Sequence, residues 1–374
     1  MTKLLRHAAA LVVMASALIA CAEGAERRVV VFDFTPRQAK GYEWVGPALA
    51  EYVIALLRGA EGFSAVERAV VVRRLARLGY PPYTASPLEV KDRIREELGA
   101  GVIVEGDYDA DRSSLRFRGS IIDMETGELV SNLQFRLSPF TVFDAQRELR
   151  SRLEKELGRK LKNDMRELLG TGSKEAYTEF CMGRALYESG SGAEAGASLE
   201  KAAGADPSYV APLLLLGRIN LEETRFETAL KHLQKAVGEA PENPEAHFLL
   251  GYTMFFLRVL DGAQEHLRAA VRLKGAEPDY HYVSGMVHFE NGELESALGE
   301  FRRVVELDPG FAEGWYKIAV VHSHRMEEEG VRSALEKAIE TGGKDVQVRL
   351  EKDRDFDWLR DRTWFKALMR RRLR

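Results

Sequence analysis

The chain has 374 residues, 45% of them hydrophobic and 30% charged, which suits two or three ordinary globular domains. Its net charge of −4 and pI near 6.2 argue against a general nucleic-acid-binding protein, which would present a basic surface. The two cysteines, Cys21 and Cys181, lie far apart and leave little scope for a disulfide framework or a thiolate metal site.

Residues 1–21 have the pattern of an export signal. Two basic residues precede an apolar run at 8–20, which is short for a membrane span. The run ends in the sequence LIAC, which resembles the bacterial lipobox. This resemblance implies that Cys21 is lipidated and that the protein is anchored in the periplasm, with Ala22 favouring the outer membrane. Ordinary cleavage after Ala22 stays open as the alternative, because small residues also flank that site.

An α/β domain is predicted over residues 28–168. Residues 29–34 form a nearly continuous apolar run, typical of a strand that is covered on both faces. Apolar residues recur at helical spacing over 44–58, and residues 115–137 alternate as a two-stranded meander. Other elements are expected in chain order: a strand at 63–67, a helix at 70–78, a helix running from the cap Ser86 to Leu98, a strand at 102–108 and a long helix at 142–168.

Short motifs in this domain resemble the TolB amino-terminal domain. They are VVFDF at 30–34, EWVG at 43–46, ALA at 48–50, VIVEG at 102–106, ID at 122–123 and TGE at 126–128. The segment FSAVER at 63–68 also resembles part of the CsgG family of curli secretion. The resemblance implies an envelope module with a mixed sheet that binds proteins and has no catalytic residues.

From Ala176 onward, one pattern returns every 34 residues. Glycine stands at positions 183, 217, 251 and 285, and alanine takes the fifth place at 319. In each copy the large apolar residues fall three or four apart, which predicts two amphipathic helices that cross at the small residue. A single helix pair cannot bury its apolar face, so the copies are expected to stack as an all-α solenoid.

This pattern resembles the tetratricopeptide repeat over residues 176–345. The family's opening aromatic, leucine and glycine positions match Trp315, Ile318 and Ala319 in the last copy. The resemblance implies five repeats, at 176–209, 210–243, 244–277, 278–311 and 312–345. A linker of flexible composition is expected at 169–175, and capping helices are expected at 346–374.

The tetratricopeptide resemblance also implies a concave groove lined by the first helix of each repeat. The residues predicted to point into it are aromatic, apolar or acidic: Phe180, Tyr187, Phe248, Tyr252, Phe255, Phe256, Tyr282, Met286, Phe289, Tyr316, Glu245, Asp279 and Glu313. Exposed aromatic side chains are costly unless something covers them. We therefore expect a protein or peptide partner that is apolar or aromatic and carries Lys or Arg. The alternative is that the chain's own tail or its α/β domain fills the groove.

The sequence contains no pattern that indicates catalysis, a metal or a cofactor. His322 and His324 stand two apart on a predicted helix and point to different faces, so packing is favoured over metal binding for them and for His288. Acids at predicted strand ends are interpreted as solvating the sheet edges: Asp33, Glu67, Glu105, Asp107 and Asp123. No nucleophile with a base and an orienting group is visible, so we expect no enzymatic activity.

These features favour a non-catalytic scaffold or adaptor of the bacterial cell envelope. Two alternatives stay open. One is a regulator of a membrane-bound envelope enzyme, suggested by analogy with related α/β domains. The other is an accessory subunit of a secretion assembly, suggested by the CsgG resemblance.

Overall fold

A computed structural model describes residues 26–58, 60–80, 88–157, 160–161 and 165–370. The predicted export signal with Cys21 lies outside these residues, as does the predicted helix cap at Ser86. The chain divides into two compact units, one that ends at Pro212 and one over Leu213–Arg374. We describe each unit separately. No helix of the described part is long and apolar enough to cross a bilayer.

The first unit contains a mixed sheet. Its strands are β1 (Arg27–Val31), β2 (Thr35–Gln38), β3 (Phe63–Ala65), β4 (Val102–Ala110), β5 (Leu115–Asp123) and β6 (Leu129–Leu137). The order across the sheet is β3-β1-β4-β5-β6, and β2 pairs with β4. Strand β1 runs parallel to β3 and β4, whereas β4, β5 and β6 form the antiparallel meander that the alternating sequence predicts.

Helices cover both faces of this sheet around β1. They are α1 (Val45–Arg58), α2 (Arg68–Arg77), α3 (Leu88–Leu98), α4 (Val142–Glu156) and α5 (Met165–Leu169). Val29 and Val31 pack in one core cluster with residues of α1 and α4, and Val30 packs in another with residues of α2 and α3. The apolar run at 29–34 is therefore continuous because neither face of β1 meets water.

The repeat region is built of helix pairs. In the first unit these are α6 (Lys174–Glu188) and α7 (Gly192–Ala205). The following helices are α8 (Val210–Glu222), α9 (Phe226–Glu239), α10 (Pro244–Phe256), α11 (Leu260–Leu273), α12 (Pro278–Glu290), α13 (Leu294–Leu307), α14 (Ala312–His324) and α15 (Glu328–Lys352). A Cβ atom at Gly217 would lie 2.4 Å from Leu233, and one at Gly285 would lie 2.6 Å from Phe301. The glycine period thus marks the helix crossings, and the predicted fold class is confirmed.

The predicted flexible linker at 169–175 is instead an ordered junction. Thr171 is buried, and its hydroxyl donates to the Asp206 carboxylate at 2.5 Å. Ser173 caps α6 by accepting a hydrogen bond from the Ala176 amide at 3.1 Å. Composition alone does not reveal these side-chain hydrogen bonds, which hold the segment against the first repeat.

The first repeat packs onto the α/β domain within the first unit. Tyr177 and Cys181 of α6 are buried in the same core cluster as the helices α1 and α4. The Gln146 side-chain amide donates to the Tyr177 hydroxyl at 2.8 Å, a bond that is itself buried. The face of α6 that carries Tyr177 and Cys181 is therefore covered by the chain's own α/β domain.

The second unit closes with a segment that follows the fifth repeat. Gly343 adopts a φ of +62° and kinks α15. A 3₁₀ turn (Arg354–Leu359) and α16 (Thr363–Arg370) follow. Side chains of this segment are buried in one cluster with α14 and α15: Leu350, Phe356, Leu359, Phe365 and Leu368. They cover the apolar surface that the last repeat would otherwise leave open.

Candidate peptide-binding groove in the third and fourth repeats

Most of the predicted groove residues lie on α10 and α12, the first helices of the third and fourth repeats. Phe248, Tyr252 and Phe255 of α10 are half-buried, and Phe256 keeps 42% of its surface exposed. Three residues of α12 are half-buried as well, namely Tyr282, Met286 and Phe289. These two helices hold a continuous apolar surface that is partly open to solvent.

The aromatic rings of α10 contact one another along the helix. The Tyr252 ring centroid lies 6.0 Å from that of Phe248 and 4.9 Å from that of Phe256. Phe226 of the preceding repeat stacks on Phe256 at 4.8 Å. Phe226 was missed in the sequence because it begins a second helix, and only the first helices were considered. The rings hold each other in place, which keeps an exposed aromatic surface rigid.

The three predicted groove acids have different environments. Glu245 accepts a hydrogen bond from Arg218 at 2.6 Å, so that its charge is matched. Asp279 is exposed and forms no hydrogen bond or ion pair with any residue that the structure describes. Desolvation of its carboxyl raises the pKa of Asp279 and the charge of Glu277 acts in the same direction, whereas the charge of Arg218 opposes both. Among these acids, Asp279 therefore has most to gain from a cation supplied by a partner.

Glu313, the third acid, is paired by a residue from beyond the repeats. Arg349 of α15 donates to both Glu313 carboxylate oxygens, at 2.8 and 2.6 Å. Arg349 could not be assigned to the groove from the sequence, because it lies in the predicted capping segment and not in the first helix of a repeat.

The prediction that Tyr316 lines an open groove was wrong. Tyr316 is completely buried, because Phe356 packs edge-on at 5.7 Å between ring centroids and Arg349 lies over its ring at 4.0 Å. Its hydroxyl donates to the Asp353 carboxylate at 2.5 Å. The chain's own carboxyl-terminal segment covers this end of the predicted groove, as the self-occupied alternative requires.

Phe180 and Tyr187 belong to the first unit. Phe180 packs against the core of the α/β domain, with its ring 5.3 Å from Tyr209. It also lines a cleft of about 410 Å³ together with Tyr52 and Arg68. Tyr187 is half-buried on the same helix. The candidate groove that we describe is accordingly confined to residues of the second unit.

Two of the histidines for which packing is favoured over metal binding, His288 and His322, pair with glutamates. The His288 Nδ1 lies 2.5 Å from Glu293, and the His322 Nδ1 lies 2.6 Å from Glu327. Each glutamate follows its histidine by five residues, at the turn into the second helix of the repeat. No group of three or more metal-ligating side chains is found in the described residues.

His281 of α12 provides a pH-dependent contribution to stability. Its Nδ1 lies 2.6 Å from Glu300 and its Nε2 lies 3.1 Å from the Gly275 carbonyl, so both nitrogens must donate. The hydrogen bond to Glu300 raises the pKa of His281. This stabilisation is complete below about pH 6.5, the ordinary value, and is lost as pH rises through the folded-state pKa.

We expect Glu300→Gln to lower the free energy of unfolding more at pH 6 than at pH 8. The loss at pH 6 should be about 1.5–3 kcal/mol. Urea denaturation at both values measures this. Glu306→Gln, which removes an exposed acid of the same helix, is the control. An equal loss at both pH values would show that His281 is not charged in the folded state.

Four of the five strand-end acids are largely buried and paired with basic residues, contrary to the expectation that they solvate sheet edges, whereas Glu67 is 68% exposed. Asp33 is buried against Arg68, and Asp123 is buried against Arg27. Glu105 pairs with Lys91 at 2.5 Å. The position of an acid at a strand end could not reveal these pairs, because Arg68, Arg27 and Lys91 each stand on a different element from the acid that they pair with. Every one of these carboxylates has a cation rather than a second carboxylate as its partner.

Comparisons with known proteins identify the repeats. Two tetratricopeptide-repeat family models match the sequence, one over residues 182–244 and one over 220–286. The chain therefore contains tetratricopeptide repeats, a class of repeat that forms protein-binding scaffolds. No curated protein matches the sequence.

Solved structures with a similar repeat fold include MamA, at 24% identity and a TM-score of 0.41, covering 44% of this chain and 96% of MamA. YrrB, a repeat protein with an unusual peptide-binding site, matches at 24% identity and a TM-score of 0.42, covering 48% of this chain and 92% of its own. TTC0263, a repeat protein of Thermus thermophilus, matches at 20% identity and a TM-score of 0.39, covering 47% of this chain and 96% of its own.

Proposed function

We propose that the protein is a non-catalytic scaffold of the bacterial cell envelope that holds a partner segment on α10 and α12. The observation that carries this proposal is the row of half-exposed rings at Phe248, Tyr252 and Phe256 beside the unpaired Asp279. Burial raises the pKa of Tyr252, and the charge of Asp279 acts in the same direction. We therefore treat the aromatic rings of α10 and the Asp279 carboxylate of α12 as one binding surface.

This surface suits an apolar or aromatic segment that carries Lys or Arg. Burying the exposed face of Phe256 would supply affinity, since aromatic side chains dominate binding energy at protein interfaces. A cation placed at Asp279 would pair with an exposed carboxylate that forms no ion pair with a described residue. Glu245 and Glu313 contribute less than the sequence suggested, because Arg218 and Arg349 already neutralise them.

Phe256→Ala combined with Asp279→Asn tests the groove. We expect the affinity for a partner recovered from crosslinked envelope fractions to fall by at least roughly tenfold, because an aromatic anchor and a charge are both lost. Phe248 and Tyr282 are less suitable for mutation because they pack against the buried core. Met326→Ala, which removes an exposed side chain from a turn in the fifth repeat, is the matched control. Unchanged binding by the folded double variant would exclude the groove.

We further propose that lipid on Cys21 anchors the protein in the periplasm at the outer membrane. The LIAC sequence with Ala22 supports this, as does the resemblance of residues 28–168 to an envelope module. Mass spectrometry of the mature amino terminus should find Cys21 carrying more than one acyl chain, since a single chain binds membranes only marginally. An unmodified terminus at Glu23 would instead indicate a soluble periplasmic protein.

A further inference from the structure

Strand β6 is a free edge of the sheet in the first unit. It pairs with β5 on one side, and no described residue hydrogen-bonds to its other side. In an antiparallel pair, alternate residues direct their N–H and C=O groups away from the partner strand. A strand of nine residues therefore offers about four sets of unpaired backbone groups along its outer edge.

Most of the features that prevent association at a sheet edge are absent from β6. Such strands tend to be short or to carry proline, charges or bulges that block pairing. β6 has nine residues and no proline, and Arg136 is its one charged side chain. Its pairing with β5 is irregular only near its start, where Leu129 is 49% exposed although it is large and apolar.

The polar face of β6 carries one positive charge, that of Arg136. Arg136 stands directly opposite Arg116 of β5, and like charges in that position are destabilising. Asp109 lies near Arg116 but already accepts a hydrogen bond from Arg118 at 2.8 Å. Arg136 is exposed and forms no ion pair with a described residue. Both arginines line a cleft of about 230 Å³ together with Asp109 and Asp111. Asp111 is exposed and already accepts hydrogen bonds from Ser113 and Ser114.

We propose that β6 binds an extended acidic segment of another protein as an additional strand of the sheet. Side chains of an added strand alternate between the two faces of the sheet. On one face they would lie beside Asn132, Gln134 and Arg136, where Asp or Glu would neutralise the facing arginines. On the other they would lie beside the apolar side chains of Leu133 and Phe135, where the Arg152 guanidinium lies 5.7 Å from the Phe135 ring centroid. The expected partner therefore alternates acidic and apolar residues. This site is independent of the groove in the repeats.

Three synthetic nine-residue peptides test the proposal with the full chain. One alternates Glu with Val or Thr, the second replaces Glu with Lys, and the third keeps Glu but is N-methylated at alternate amides. We expect the first to bind at least about tenfold more tightly than either other peptide by fluorescence anisotropy, because only it supplies both charge and backbone pairing. Hydrogen exchange should slow at alternate amides within residues 129–137 when it binds.

Arg116→Gln combined with Arg136→Gln should reduce binding of the Glu peptide to that of the Lys peptide. Arg77→Gln, which removes an exposed arginine from α2, should leave it unchanged. Equal binding of the Glu and Lys peptides, or no protection at residues 129–137, would overturn the proposal. Protection of the outward amides before any peptide is added would also overturn it. Sedimentation would then distinguish a second copy of the chain from an internal segment.

Discussion

Ending the chain after Arg354 is expected to lower the free energy of unfolding of the second unit by about 6 kcal/mol or more. The truncation removes four buried side chains, Phe356, Leu359, Phe365 and Leu368. Each contributes about 1.5–3 kcal/mol through burial of apolar surface. It also exposes Tyr316, whose ring packs against Phe356. Thermal unfolding followed by circular dichroism measures the loss.

Single substitutions separate this packing effect from the loss of chain length. Phe356→Ala alone should cost about 3–5 kcal/mol, as for other fully buried aromatic residues. Lys366→Ala, at an exposed position of α16, should change stability by less than about 0.5 kcal/mol. A truncated protein that melts at the wild-type temperature would show that the closing segment does not contribute to the fold.

Arg68→Ala is expected to destabilise the first unit by about 3–5 kcal/mol, the usual cost of leaving a buried charge without its partner. The Asp33 side chain is 1% exposed, and Arg68 donates to both of its oxygens at 2.7 and 2.6 Å. Burial raises the pKa of Asp33, which the Arg68 charge opposes. Arg68 also donates to Glu188 of the first repeat at 2.8 and 3.0 Å, so its loss loosens the repeat from the sheet as well.

Two further variants show whether the loss of stability in Arg68→Ala comes from the Asp33 carboxylate, which that substitution leaves buried without a cation. Asp33→Leu combined with Arg68→Met should recover most of the stability, because an apolar pair needs no compensating charge. Arg58→Ala, which removes a solvent-exposed partner of Glu67, should cost less than about 1 kcal/mol. Equal effects of Arg68→Ala and Arg58→Ala in urea denaturation would contradict the account.

The sequence predicts those features that repeat or alternate along the chain. The glycine period located the helix crossings because only a residue without a side chain allows Leu233 to approach Gly217. Likewise, the apolar run at 29–34 predicted a strand covered on both faces, and the alternation at 115–137 predicted the meander.

Features that depend on residues distant in sequence could not be predicted in this way. Arg349 reaches Glu313 and covers Tyr316 from the part of α15 that follows the kink at Gly343, and Arg349 itself lies beyond the last repeat. The pairing of Arg68 with Glu188 joins residues 120 positions apart. For the candidate groove, the aromatic residues could be predicted from the sequence. Which of them are covered by other parts of the chain, as Tyr316 is, could not.

Site-specific photo-crosslinking tests the central claim most directly. The photoreactive amino acid p-benzoylphenylalanine would replace Phe256 in the groove or, as a control, Met326 in a turn, since both positions are exposed. After irradiation of intact cells, we expect a crosslinked partner protein from position 256, none from position 326, and loss of the crosslink when Asp279→Asn is added. Absence of a crosslink at 256, or the same products from both positions, would contradict a binding groove on α10 and α12.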